Sequence, residues 1–117
     1  MNIRECYRML DADYDEVRAR LIKEDRIEKY LNIFLTGEYL EIIVRCIDEK
    51  NWREAFRAAH SLKGVSLTLG FQNLHAVCDS LCDRLRDCVI PEGDISGLVQ
   101  ALGTEYDRIK NIIRKTI

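Results

Sequence analysis

The chain has 117 residues, 47% of them hydrophobic and 32% charged, with one proline and six glycines. Its 18 lysines and arginines stand against 20 acidic residues, and a formal net charge of −2 gives no electrostatic reason to expect nucleic acid or an anionic membrane as partner. No apolar run approaches the roughly 20 residues that cross a bilayer, and "MNIRECYRMLDADYDE" is charged too early for a signal-peptide core.

A single domain over residues 1–117 is expected, long enough to bury roughly two thirds of the surface its unfolded chain exposes. A cytoplasmic location is expected too. The five cysteines (Cys6, Cys46, Cys78, Cys82 and Cys88) are odd in number and fall mostly at apolar positions. In a reducing compartment they read as small buried hydrophobes.

Helical period dominates and strand alternation is almost absent. Ile3, Cys6, Tyr7 and Leu10 give a short opening helix. Tyr14, Val17 and Leu21 suggest a second, with Asp13 as its N-cap. From Glu24 to Thr36, Ile27, Tyr30, Leu31, Phe34 and Leu35 form an apolar stripe. Tyr39, Leu40, Ile43, Val44 and Ile47 repeat it, and the pattern leaves open whether Gly37 separates two helices or sits inside one. Asn51 caps the next helix, with Glu54 three residues on as in a capping box. Its stripe runs through Trp52, Ala55, Phe56, Ala59, Leu62, Ser66 and Leu69 to a stop at Gly70. Another stripe follows at Leu74, Val77, Cys78, Leu81, Leu85 and Cys88. "VIPEGD", with Pro91 and Gly93, is the only strong loop, and Asp94 caps a last helix that buries Leu98, Leu102, Tyr106, Ile109 and Ile113. Four helices of roughly 12 to 20 residues joined by short loops, behind short N-terminal helices, predict an all-α fold: an antiparallel four-helix bundle with short additional N-terminal helices.

The chemistry concentrates in "AAHSLKGVSLTLG". On a helix, positions i, i+3 and i+4 share a face, so His60, Lys63 and Gly64 are neighbours on a strip reaching back to Arg53 and Arg57 and forward to Leu67. The strip lies beside the core stripe, so the imidazole reaches solvent while its base is held by packing. A neutral imidazole is a competent nucleophile. A nearby ammonium disfavours the imidazolium and stabilises negative charge arriving on the ring. Gly64 costs about 1 kcal/mol relative to alanine inside a helix, which points to something bulky that needs close approach. Together the three residues suggest transfer of a phosphoryl group to His60 from another protein. Taken singly, each has an ordinary alternative: a boundary histidine, a solvated lysine, a packing glycine.

The stretch resembles the signature of histidine-containing phosphotransfer (HPt) domains, roughly H-x-L-K-G-x-S-x-x-L-G. His60, Leu62, Lys63, Gly64, Ser66, Leu69 and Gly70 all match, and Leu74, Cys78 and Leu81 continue the pattern on the next helix. The close matches span residues 56 to 85. The resemblance implies a phosphorelay intermediate, a carrier and not an enzyme with its own nucleotide site. It implies phosphorylation of His60 on Nε2, charge compensation by Lys63 and clearance at Gly64 for a docking response-regulator receiver domain. Magnesium would belong to the receiver, with no cofactor on this chain. Arg53, Arg57 and Leu67 become candidates for the docking face, and a monomer is expected. Where relatives often carry Glu or Gln to hydrogen-bond the histidine's other ring nitrogen, this chain has Cys82, a weak partner. Arg86, one turn on, matches a basic residue that some relatives place near the site.

Rival readings are a soft-metal site at His75, Cys78 and Cys82, a redox pair at Cys78 and Cys82, and a helical interaction module without transfer activity. A self-sufficient histidine kinase lacks a P-loop or glycine-rich nucleotide box here. A phosphotransfer piece of a larger hybrid or chemotaxis-type kinase stays open. The compact length opening on a methionine favours a free-standing carrier, with a hybrid histidine kinase as a further partner.

Overall fold

The computed structural model of the chain describes residues 2–86 and 95–116. Among these residues there are seven helices and no strand: α1 (Ile3–Leu10), α2 (Tyr14–Leu21), α3 (Glu24–Thr36), α4 (Tyr39–Asp48), α5 (Trp52–Leu69), α6 (Gln72–Leu85) and α7 (Ser96–Thr116). The expected all-α bundle forms. α5 packs most extensively on α6, α4 runs along α5, α7 lies on α6, and α4 meets α7 to close the ring. α3 continues the α4 side onto α5, while α1 docks on α7 and α2 on α3 and α5.

The helix ends follow from local chemistry. Side-chain oxygens of Asn2, Asp13 and Asn51 accept the backbone N–H of Glu5, Glu16 and Glu54 at 3.0, 3.0 and 3.4 Å, satisfying donors that a first turn leaves unpaired. At Asn51 only half of the expected capping box is made. The Glu54 carboxylate turns to Arg57 at 3.3 Å, and the Asn51 N–H goes to the Cys46 carbonyl at 2.8 Å. Gly37 does separate two helices. Its backbone is extended (φ −70, ψ 142), and its carbonyl accepts the Tyr106 hydroxyl from α7 at 3.0 Å. A Cβ there would overlap the Tyr39 ring, so the break is also a close approach.

The core is one cluster spanning every helix. Phe34 is fully buried in it, with ring centroids 5.3 Å from Phe71 and 5.2 Å from Tyr106, tying α3 to the α5–α6 turn and to α7. Leu62, Leu74, Leu81, Leu85 and Leu102 are fully buried, each contributing about 1.5–3 kcal/mol relative to exposure. On α4 two positions differ from the expected stripe. Val44 faces solvent, and Cys46 takes the buried place on α4, because its spacing of three from Ile43 keeps it on the inward face. Val77 and Leu98 are only half-buried. Cys6, Cys46, Cys78 and Cys82 are buried free thiols, as expected. The expected loop with Pro91 and Gly93, the Asp94 cap and Cys88 lie outside the described residues.

Candidate functional site

α5 divides cleanly into two faces. Ala55, Ala59, Leu62, Ser66 and Leu69 are buried, and the one polar member, Ser66, donates its hydroxyl to the Leu62 carbonyl at 2.7 Å. Arg53, Arg57, His60, Gly64 and Leu67 are all exposed and follow one another at spacings of three or four, so they form a continuous outward strip. Leu67, at 56% exposure, is among the most exposed large apolar side chains in the molecule.

His60 lies at the centre of this strip. Its ring packs against Phe56, one turn earlier, with centroids 5.8 Å apart and planes tilted by 34°. Among the described residues no hydrogen bond reaches the imidazole. One turn later, a Cβ built on Gly64 would meet no atom within 4 Å, so the approach to His60 is open on that side. Removing a side chain here is not needed for packing.

Lys63, at the edge of the strip, reaches across to α6, where its Nζ pairs with Asp79 Oδ1 at 2.7 Å. That hydrogen bond raises the Lys63 ammonium above its ordinary value and holds the Asp79 carboxyl below the usual carboxylate range. Asp79 escaped the sequence reading. Its partner lies sixteen residues away on another helix, and only the register of α5 against α6 brings the two together.

Of the α6 residues singled out from sequence, Cys82 is fully buried and makes no hydrogen bond to His60. Burial pushes its thiol up, while the charge of Lys63 pulls the other way. Arg86 ends α6 and pairs with Asp83 at 2.8 Å, and its charge is felt by Lys63, Asp79 and Cys82. Arg57 is engaged by Glu54 on its own helix. The three residues of the metal reading do not converge. Cys78 is in the core, its thiol pushed up to about 12 by burial, whereas His75 is half-buried beside Gln72 at the α5–α6 turn, in a hollow lined also by Glu16, Arg20 and Leu67. Among the described residues no group of three or more His, Cys, Asp or Glu is placed to hold a metal ion.

The site helix is fixed at its C-terminal end by the N-terminal helices. Gly70 adopts the left-handed conformation (φ 77), and the N–H of Phe71 returns to the Ser66 carbonyl at 2.9 Å. Carbonyls of the last turn also accept from outside. Tyr7 of α1 donates its hydroxyl to Leu69 at 2.8 Å, and Arg20 of α2 donates to Leu67 and Thr68, both at 2.9 Å. A cation at a helix C-terminus also complements the helix dipole.

No helix among the described residues is long and apolar enough to cross a membrane. No solved structure matches the chain. The family model described as "Hpt domain" matches residues 29–112, well over half of the sequence, and takes in the whole of α4, α5 and α6 with His60 and its surroundings. The helical bundle, the outward histidine and this match agree: the chain belongs to the Hpt domain family.

Proposed function

We propose that the protein is a histidine phosphocarrier that moves a phosphoryl group between receiver-domain aspartates of a two-component phosphorelay, through His60. The observation that carries this reading is the open face around the imidazole: an exposed His60, an empty neighbourhood at Gly64 and an ammonium one turn away on Lys63. Small-molecule enzymes favour concave pockets. A convex helix face with a cleared approach fits a macromolecular donor.

In the forward step the Nε2 lone pair of a neutral His60 attacks the phosphorus of an aspartyl phosphate on the receiver. The acyl-phosphate P–O bond breaks, and its electron pair leaves with the aspartate carboxylate. The ring proton stays on Nδ1 until it is lost to water. Lys63 exchanges Asp79 for the arriving phosphoryl oxygens, which carry more charge than a carboxylate. Arg86 adds positive potential from the end of α6. Magnesium chemistry is assigned to the receiver. Arg53, Arg57 and Leu67 form the docking surface, two cations and an apolar side chain flanking the histidine. The carrier works as a monomer in the cytoplasm.

Incubation with phosphorylated receiver domains from the same cell tests the reading. The wild type should acquire an acid-labile, base-stable label, and His60→Gln should acquire none. A wild-type chain that takes no label from any of those receivers refutes the relay.

A further inference from the structure

We infer that Phe56 is the residue that orients the His60 imidazole, doing by aromatic contact what a hydrogen-bond acceptor on α6 would otherwise do. The inference concerns the same site as the proposed relay but stands on separate observations. The His60 ring is exposed and receives no hydrogen bond among the described residues, and Cys82, the α6 residue in line for that role, is fully buried and makes no hydrogen bond to it. Among the described residues the imidazole's one ring contact is Phe56, at 5.8 Å and 34°. That separation lies within the range in which aromatic faces attract.

Phe56 can serve as a fixed shelf because it is itself anchored. It is half-buried and packed against the core, and His60 stands four residues on, on the same face of α5. An imidazole resting on this shelf has its rotation restricted, while its covalent structure sets Nδ1 near the backbone and Nε2 at the outer end. The ring contact restricts the pose of the imidazole, and an approaching donor meets the nitrogen at its outer end first. Sequence patterning places Phe56 on the core stripe, and its second contact is visible only once both rings are in place.

Phosphoramidate, which phosphorylates histidines directly, tests this without any receiver. The imidazole lone pair attacks phosphorus, the P–N bond of phosphoramidate breaks, and ammonia departs with the bonding pair. Phosphorus NMR of the intact chain then distinguishes Nε2- from Nδ1-phosphohistidine, with His60→Gln reporting any signal due to His75. The wild type should give a single Nε2 product at His60. Phe56→Leu, which keeps apolar bulk against the core, should react about threefold to tenfold more slowly and give a mixture of isomers while melting near the wild type. Phe56→Tyr should restore both rate and selectivity. A Phe56→Leu protein with wild-type rate and isomer ratio overturns the inference, as does a wild type that yields mixed isomers or none. A wild type labelled cleanly on Nε2 by phosphoramidate but by no phosphorylated receiver would sink the relay and leave the role of Phe56 standing.

Discussion

Gly64, in the middle of α5, and Gly70, at its end, are six residues apart in opposite surroundings. Gly70 has φ 77, which side chains rarely adopt, and a Cβ on it would come within 2.7 Å of Val17 on α2. Gly64 is ordinary helix, and a Cβ on it would touch nothing. Gly70 is required by the fold. Gly64 weakens the helix by about 1 kcal/mol with no packing return, so its justification lies outside the molecule, in whatever approaches His60.

The sharpest way to break this comparison is Gly64→Gln. If clearance is the reason for the glycine, phosphotransfer from a receiver should fall by about a hundredfold, as when a positioned reaction is displaced by an ångström or so. The melting temperature should hold or rise, because glutamine is a better helix former than glycine by up to about 1 kcal/mol. Loss of stability in step with loss of transfer would give Gly64 a packing role and remove the contrast. Gly70→Ala should behave in the reverse manner. Left-handed backbone for a residue with a Cβ costs about 1–2 kcal/mol, which thermal or urea unfolding will read, while the transfer rate per folded molecule stays near the wild type.

A smaller effect separates Lys63 from the helix that carries it. Asp79→Asn releases the ammonium from its resting partner and should shift the phosphoryl equilibrium toward His60 by up to about fivefold, with little change in melting. Because the Lys63 hydrogen bond holds the Asp79 carboxyl below the ordinary carboxylate range, the ion pair is intact at neutral pH and is lost only as pH falls through that lowered value. The difference between wild type and variant should therefore be constant from about pH 8 to pH 5 and shrink on further acidification. A difference that already fades between pH 8 and 6 would implicate another group. Alkylation gives the mildest check. Burial raises the Cys78 and Cys82 thiols, so iodoacetamide at pH 7.5 should modify neither until the chain unfolds.

What could be read from sequence was what repeats within one helix. Caps at Asp13 and Asn51, the stop at Gly70 and the shared strip of His60, Lys63 and Gly64 depend on spacings of three and four along a single element, and all are found where expected. Contacts between helices were not legible, because they depend on the register of one element against another. Asp79 beneath Lys63 is the clearest case, and the Tyr106 hydroxyl at the Gly37 break is a second. Phe56 falls between the two classes. Its spacing from His60 was visible, but a residue assigned to the core by period also turned a face to the site. Val44 and Cys46 show the remaining weakness: on a helix as short as α4 a one-residue error in phase exchanges an inward for an outward side chain.

The hydrogen bonds from Tyr7 and Arg20 to the end of α5 have a practical consequence for anyone who trims this protein. The family match begins at residue 29, after both donors. A version cut to residues 29–112 would keep the histidine, the lysine and both glycines, yet would leave the Thr68 and Leu69 carbonyls to water, reduce Leu67 to its bond from the Gly70 N–H and strip Val17 from beside Gly70. The smallest unit recognisable by similarity is therefore smaller than the unit that holds its own reactive helix in place.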